Sequence, residues 1–361
     1  MALALSLGRR GHGQVWPNPA VGCVIVRKGQ IVGRGWTQPG GRPHAETHAL
    51  AQAGHAARGA DVYVTLEPCA HHGKTPPCAQ ALVDAGVARV FVATGDPDPR
   101  VSGAGNALLQ GAGIEVTTGL LEAQARRDNA GFFARIERDR PFVTLKLASS
   151  FDGRIATATG ESKWITGPAA RRVVHGMRAS HDAVMVGAGT ARTDDPSLTV
   201  RGLGVAHQPT RVVISRRLDV PLTGALARTA TDVPVILCHG LDPQDALVRT
   251  WAELGAVLLP CRVTRGQLDP VDVLRQLAGH GLTRVFCEGG GALAASMLQA
   301  DLVDDLVGFT AGLGLGAEGV PSIGALGVSR LDQVSRFTLK DTRAIGGDVL
   351  TVWTRTPAQT G

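Results

Sequence analysis

Short apolar runs rich in Val and Ile alternate along this chain with stretches whose apolar positions recur every three or four residues. The first kind reads as strand and the second as helix. Residues 21–26 and 31–35 flank Lys28 and Gly29 and predict a β-hairpin. A helix over 45–54, a β-branched run over 62–66, a helix over 78–85, a strand over 88–93 and a turn and strand over 111–116 follow. The apolar opening, residues 1–7, is too short to span a membrane and reads as a first helix continuing into Arg9 and Arg10. The charged stretch 135–140 ahead of Pro141 marks a boundary, since proline disfavours helix at the residue before it. Beyond it, strands are expected at 142–148, 183–186, 211–214, 233–238, 256–259 and 284–287, with helices at 168–180 and 270–279. This divides the chain into domains 1–140 and 141–361. The first is an α/β layout consistent with a three-layer sandwich, the second a mostly parallel α/β sheet. The tail 354–361 reads as disordered, and the apolar run 302–315 is a candidate oligomer surface.

A length of 361 residues suits two domains of ordinary size. Aromatic residues make up only 4%, so the cores must rely on Val, Leu, Ile and Ala. The net charge of +6 opens the possibility of an anionic partner. The basic residues are scattered, and those at 135–140 are interleaved with Glu137 and Asp139, which argues against a dedicated nucleic-acid tail. No stretch reads as transmembrane. The six cysteines form no dense framework, so reduced thiols in a cytoplasmic protein are expected.

The candidate chemistry begins at Pro43-His44-Ala45-Glu46, continues at Thr65-Leu66-Glu67-Pro68-Cys69 and closes at Pro76-Pro77-Cys78. A lone His-x-Glu or a lone cysteine is ordinarily structural, but this order, H-x-E … P-C … C, is that of zinc nucleobase deaminases. One imidazole and two thiolates bind zinc and leave its fourth tetrahedral position to water. Zinc lowers the pKa of that water towards about 7, so hydroxide exists at neutral pH. We therefore assign His44, Cys69 and Cys78 as ligands of one Zn2+ per chain. Glu46, near the helix start, is assigned as the catalytic residue that carries protons to the ring and the leaving amine. A purely structural zinc would want a fourth protein ligand, and none is evident. His48, one helical turn past His44, reads as a helix-surface residue, and His71 and His72 as pocket residues.

Deaminases of tRNA or cytosine usually have the two cysteines as C-x-x-C. Here Ala70-His71-His72-Gly73-Lys74-Thr75-Pro76-Pro77 separates them, and Trp16-Pro17-Asn18-Pro19-Ala20-Val21-Gly22-Cys23 lies upstream. In these features the chain resembles the bifunctional deaminase/reductase family of riboflavin biosynthesis. The resemblance implies a cytidine-deaminase-like three-layer α/β/α domain acting on 2,5-diamino-6-ribosylamino-4(3H)-pyrimidinone 5′-phosphate, with Asn18, His71 and Lys74 contacting substrate. The family commonly has a His where this chain has Thr37, after Gly35-Trp36, so that contact is not carried over.

The second half carries Lys146 to Arg154, Gly160-Glu161-Ser162-Lys163-Trp164, Gly187-Ala188-Gly189-Thr190, Asp194 to Arg201 and Glu288-Gly289-Gly290-Gly291. Glycines at a helix start let backbone approach a phosphate, although the usual dinucleotide fingerprint is not met. This series resembles the reductase half of the same family. The resemblance implies a dihydrofolate-reductase-like α/β domain that uses NADPH to convert the ribosyl group to ribityl, giving 5-amino-6-ribitylamino-uracil 5′-phosphate. It implies cofactor contacts at Ala148, Trp164, Thr190, Asp194, Ser215, Gly290, Gly291, Ala292, Leu293, Ala294, Ala295 and Ser296. It implies substrate contacts at Ser162, Arg178, Leu198, Arg201 and Glu288. Arg216 and Arg217 are candidates for the cofactor's 2′-phosphate, and Lys146, Asp152 and Glu288 for the proton donor of the reduction. The partner implied is a phosphorylated pyrimidine small molecule, with no nucleic acid and no membrane, and the protein would be a cytoplasmic homodimer. The alternative is a nucleic-acid base deaminase with a C-terminal binding domain, and no RNA-module pattern supports it.

Overall fold

The computed structural model describes residues 1–70, 76–99 and 101–356. The chain forms two compact units, Met1–Asp139 and Arg140–Gly361.

The first unit holds strands β1 (Gly22–Arg27), β2 (Gln30–Trp36), β3 (Asp61–Val64), β4 (Arg89–Val92) and β5 (Glu115–Thr118). Its helices are α1 (Ala2–Gly8), α2 (Ala45–Ala53), α3 (Cys78–Ala85), α4 (Ala104–Gly111), α5 (Glu122–Asp128) and α6 (Ala130–Arg138). The sheet order is β2-β1-β3-β4-β5. The hairpin β1–β2 and the pair β1–β3 are antiparallel, while β3, β4 and β5 run parallel. Alternation on β1 builds the layers. Cys23 and Ile25 join Ala45 and Ala49 of α2 and Ala79 and Leu82 of α3 in one core. Val24 faces the other way, onto Ala4 and Leu7 of α1. Glycine sets how closely the helices approach: a Cβ on Gly22 would lie 1.8 Å from the Ala4 carbonyl oxygen, and one on Gly35 would lie 2.1 Å from that of Ala45. The turn and strand expected near 111–116 are present: Gly111 closes α4, a turn follows, and β5 begins at Glu115.

The second unit holds β6 (Phe142–Ser150), β7 (Arg154–Ala156), β8 (Ala183–Gly187), β9 (Thr210–Ile214), β10 (Val235–His239), β11 (Val257–Pro260), β12 (Val263–Thr264), β13 (Gln267–Leu268), β14 (Arg284–Cys287), β15 (Asp305–Ala311), β16 (Val320–Pro321), β17 (Phe337–Ile345) and β18 (Asp348–Arg355). Its helices are α7 (Pro168–Ala179), α8 (Ala188–Asp194), α9 (Ala225–Arg228), α10 (Asp245–Glu253), α11 (Pro270–Gly279) and α12 (Gly291–Gln299). The main sheet runs β11-β10-β9-β8-β14-β6-β15-β18-β17. Its first seven strands are parallel, and β18 and β17 are antiparallel. Strands β8 and β10 are continuous buried apolar runs, as expected where helices cover both faces. One expectation is corrected. Thr354 and Arg355 belong to β18, and the Arg355 guanidinium donates to the Val303 carbonyl at 2.7 Å, so the tail is ordered that far. The run 302–315 contains β15, an interior strand between β6 and β18 with Val307, Phe309 and Ala311 buried and Leu306, Leu313 and Leu315 half-buried.

His181, 5% exposed, gives this unit a pH dependence. Its Nδ1 lies 2.7 Å from the Met177 carbonyl oxygen and its Nε2 3.0 Å from Thr144 Oγ1. A neutral ring meets both contacts, Nδ1–H donating to the carbonyl and Nε2 accepting from the hydroxyl. Burial is the main reason its pKa falls from 6.5 to about 3, with the Arg284 charge adding to it. A base whose folded pKa is depressed destabilises the fold as pH drops below its unfolded pKa, because the unfolded chain binds the extra proton. From pH 7.5 to 5 the second unit is expected to lose about 2 kcal/mol through this group, and His181→Gln to flatten that slope. Denaturant melts of both proteins at the two pH values, compared as differences, check it. Equal slopes would show that His181 binds its proton in the fold as it does in the unfolded chain.

Candidate active sites

In the first unit, α2 and α3 start at the same place. His44 caps α2, and Cys78 opens α3. Cys69 lies on the loop beyond β3. Its sulfur is 3.7 Å from His44 Nδ1 and accepts the Cys78 amide at 3.3 Å, while Cys78 Sγ is 3.3 Å from the same His44 nitrogen. The three ligating atoms lie within 4.8 Å of one another, and they are the one such group among the described residues. An imidazole nitrogen and two sulfurs converging at this distance fit zinc by donor type and number. The Cys69 thiol is pulled down to about 4, first by its contact with Cys78 and then by His44, against burial. His44 is raised, chiefly by its contact with Cys69, and Cys78 is raised, first by Cys69 and then by burial. Glu46, in the first turn of α2, is 4% exposed, and burial followed by the Cys69 charge raises it to about 7.

His44, Glu46 and Cys69 open on a cavity of about 290 Å³ that Asn18 and Thr37 also line. Thr37 is buried, donates to the Pro19 carbonyl at 3.0 Å and accepts the Val21 amide at 3.0 Å. Its hydroxyl therefore fixes the loop that carries Asn18, a backbone role. His71 and Lys74 lie outside the described residues. The sequence reading missed Arg42, Asp96, Asp98 and Arg135, which also line this cavity. The available signal was Asp96-Pro97-Asp98-Pro99 just past the C-terminal end of β4, where ligands collect in parallel sheets. Burial is the first cause that raises Asp96 to about 6. Glu67 forms part of the wall and accepts the amides of Gly103, Gly105 and Asn106 at 3.0, 3.0 and 3.1 Å, which holds the start of α4.

In the second unit a cavity of about 630 Å³ is lined by Lys146, Ala148, Ser162, Trp164, Arg178, Thr190, Asp194, Leu198, Arg201 and Glu288, all singled out above. Glu288 lies between two cations: Arg178 Nε donates at 2.5 Å, and Lys146 Nζ lies at 3.4 Å. Burial works against the Glu288 charge, but Lys146 and Arg178 outweigh it and hold the carboxyl below its usual range. His175, missed in the sequence, accepts the Arg201 amide on Nδ1 at 3.2 Å and ties that loop to α7. A larger cavity of about 1110 Å³ is lined by Ser215, Gly291, Ala292, Leu293, Ala295 and Ser296, with Arg216 and Arg217. Two expected positions fall elsewhere. Ala294 is fully buried on the core side of α12, and Gly290 is its N-cap outside the lining. Asp152 lies outside these cavities. Its carboxylate accepts the Ser150 hydroxyl and the Leu315 and Gly316 amides, and the Ser150 contact leads in holding it below the usual range. Glycine lets α12 seat closely, since a Cβ on Gly291 would lie 2.6 Å from the Pro321 carbonyl oxygen.

Residues 1–94 match the family described as the cytidine and deoxycytidylate deaminase zinc-binding region, and residues 141–351 match the RibD C-terminal domain. The chain is 41% identical to the riboflavin biosynthesis protein RibD of Escherichia coli K12, over 97% of this chain and 96% of that one. It is 40% identical to that of Aquifex aeolicus, over 98% and 97%. Among solved structures it is similar to Acinetobacter baumannii RibD, at 39% identity and a TM-score of 0.87 over 98% and 97% of the two chains. It is also similar to the Thermotoga maritima diaminohydroxyphosphoribosylaminopyrimidine deaminase/5-amino-6-(5-phosphoribosylamino)uracil reductase, at 32% identity and a TM-score of 0.85 over 99% and 97%. No helix among the described residues is long and apolar enough to cross a membrane.

Proposed function

From the premise that this chain belongs to the RibD family of bifunctional riboflavin-biosynthesis deaminase/reductases, we propose how its own residues divide the two reactions. The protein deaminates 2,5-diamino-6-ribosylamino-4(3H)-pyrimidinone 5′-phosphate and then reduces the ribosyl group to ribityl with NADPH, giving 5-amino-6-ribitylamino-uracil 5′-phosphate. The observation that carries the first step is the convergence of His44, Cys69 and Cys78 beside a buried carboxyl. These three residues would hold Zn2+, which when bound supplies a Lewis acid that lowers the pKa of water. Glu46 accepts the proton of the attacking water and returns one to the departing amine, so water enters and ammonia leaves. Asn18, with His71 and Lys74, orients the substrate.

Residues 1–140 make up the deaminase domain and 141–361 the reductase. The residues of the second unit would hold NADPH, which when bound would be the source of hydride for C1 of the ribosyl group; the sugar oxygen released from C1 needs a proton from the protein. Of the three donor candidates, Asp152 is held ionised away from the cavity and Glu288 is held ionised by its cations. This leaves the Lys146 ammonium, which Glu288 orients. Arg178 and Arg201 suit the substrate phosphate, since guanidinium can bind it in a two-pronged fashion. Ala148, Trp164, Thr190, Asp194, Ser215 and the 291–296 segment serve NADPH, except that Ala294 packs inward, and Gly290 caps the helix outside the cavity. The enzyme works on this reading as a cytoplasmic homodimer without nucleic acid. The interspersed charges and free cysteines support the location and the lack of a nucleic-acid partner.

The test is a coupled assay on purified, zinc-analysed protein with the diaminopyrimidinone substrate, following ammonia release and NADPH oxidation separately. Both signals are expected, with NADPH oxidation dependent on prior deamination. A zinc-loaded protein that gives neither would overturn the division of labour.

A further inference from the structure

Helix α7 turns one stripe toward the 630 Å³ cavity of the second unit. Arg171, Val174, His175 and Arg178 follow one another at helical spacing and all line it, while Ala170, Val173 and Met177 pack against Val307, Phe309 and Leu350. Each polar member of the stripe reaches a different wall. Arg178 donates to Glu288 and to the Thr199 carbonyl, and His175 accepts the Arg201 amide. Arg171 faces Trp164.

Arg171 breaks a local rule. Helix α7 begins at Pro168 and has no acidic residue in its first turn. A cation so near a helix N-terminus opposes the helix dipole, so helix formation does not call for this arginine. Its partners are a carbonyl and an aromatic ring rather than a carboxylate. Nη1 donates to the Thr166 carbonyl at 2.6 Å, and the guanidinium carbon lies 4.4 Å from the centroid of the Trp164 ring. Both contacts fall on one short segment, just ahead of Gly167, whose amide donates to Asp348 Oδ2 at 2.7 Å. A guanidinium suits this double task, because its flat face can stack on a ring while its edge donates.

Trp164 needs holding. It lines the cavity and yet is 68% exposed, so core packing fixes little of it and several staggered orientations of the side chain stay open. We propose that Arg171 is a positioning residue of the reductase, which stacks on Trp164 and ties it to the Thr166 backbone so that the indole is presented to NADPH in one orientation. Arg171 then sets cofactor affinity through Trp164 without touching the cofactor itself. This rests on the reading that Trp164 contacts NADPH.

Calorimetric titration of NADPH into the full-length wild type, Arg171→Ala, Arg171→Lys, Trp164→Ala and the double variant Arg171→Ala/Trp164→Ala tests it. Trp164→Ala is expected to weaken NADPH about tenfold and Arg171→Ala about fivefold, the range that a cation stacked on an aromatic ring supports. Arg171→Lys keeps a cation over the ring and is expected to bind within about threefold of wild type. In the Trp164→Ala background, Arg171→Ala is expected to change NADPH binding by no more than about twofold, since the two residues then act as one unit. A further fivefold loss in that background overturns the proposal, because Arg171 would then act on the unit by another route. Arg171→Ala that binds NADPH as wild type does, beside a weakened Trp164→Ala, overturns the proposal and leaves the reading of Trp164 standing. Trp164→Ala that binds NADPH as wild type does overturns both.

Discussion

Glu46→Gln is expected to slow ammonia release by about 10²- to 10⁴-fold, the range over which positioned proton transfer contributes to catalysis. The amide matches the carboxyl in size, so the packing of a side chain only 4% exposed survives. What it cannot do is accept a proton from water and return it to the amine. Zinc content, measured by metal analysis, should remain at one per chain, since Glu46 is outside the His/Cys/Cys set. NADPH oxidation on the pre-deaminated substrate should be unchanged and serves as an internal control for folding. Ammonia release within tenfold of wild type would move the proton carrier elsewhere. Loss of zinc with activity would make Glu46 a structural support of the ligands.

The second large effect is expected from Cys78→Ala. Cys78 opens α3, is 1% exposed and supplies one of three protein donors. Removing it leaves two ligands, too few for a site of this kind, so bound zinc and ammonia release should fall together by at least about 10²-fold. The first unit should also melt lower, because metal bound only to the folded state stabilises it by mass action. The reductase reaction should persist. A chelator applied to wild type should reproduce the loss, and added zinc should reverse it in wild type but not in the variant. A full equivalent of zinc in Cys78→Ala would remove that residue from the ligand set.

Much of this was legible in the chain. The hairpin 21–35, the helix starting at Cys78 and the alternating second unit follow from period and turn chemistry, which act over a few residues. The zinc-type group was legible because the deaminase chemistry demands rare residue types in a fixed order. Other parts were not legible, for local physical reasons. Helix α4 has the sequence Ala-Gly-Asn-Ala-Leu-Leu-Gln-Gly, with glycine at two of its positions and no side-chain cap of its own. The Glu67 carboxylate, 36–39 residues away, holds its amides. Strand β17 of the hairpin β17–β18 was missed because an edge strand with most side chains open to solvent has too few apolar positions to show alternation.

The sequence by itself determined the order of elements, the donor set His44, Cys69 and Cys78 with Glu46 beside it, and the parallel character of the second sheet. Those properties reside in residue type and near spacing. Only the tertiary structure decided which charges count. Asp152 turned out to be a backbone clamp and Glu288 an ionised partner of Lys146 and Arg178, and Asp96 and Asp98 entered the first cavity. A side chain's protonation and partners depend on burial and on charges brought close from distant parts of the chain, and spacing along the sequence carries neither.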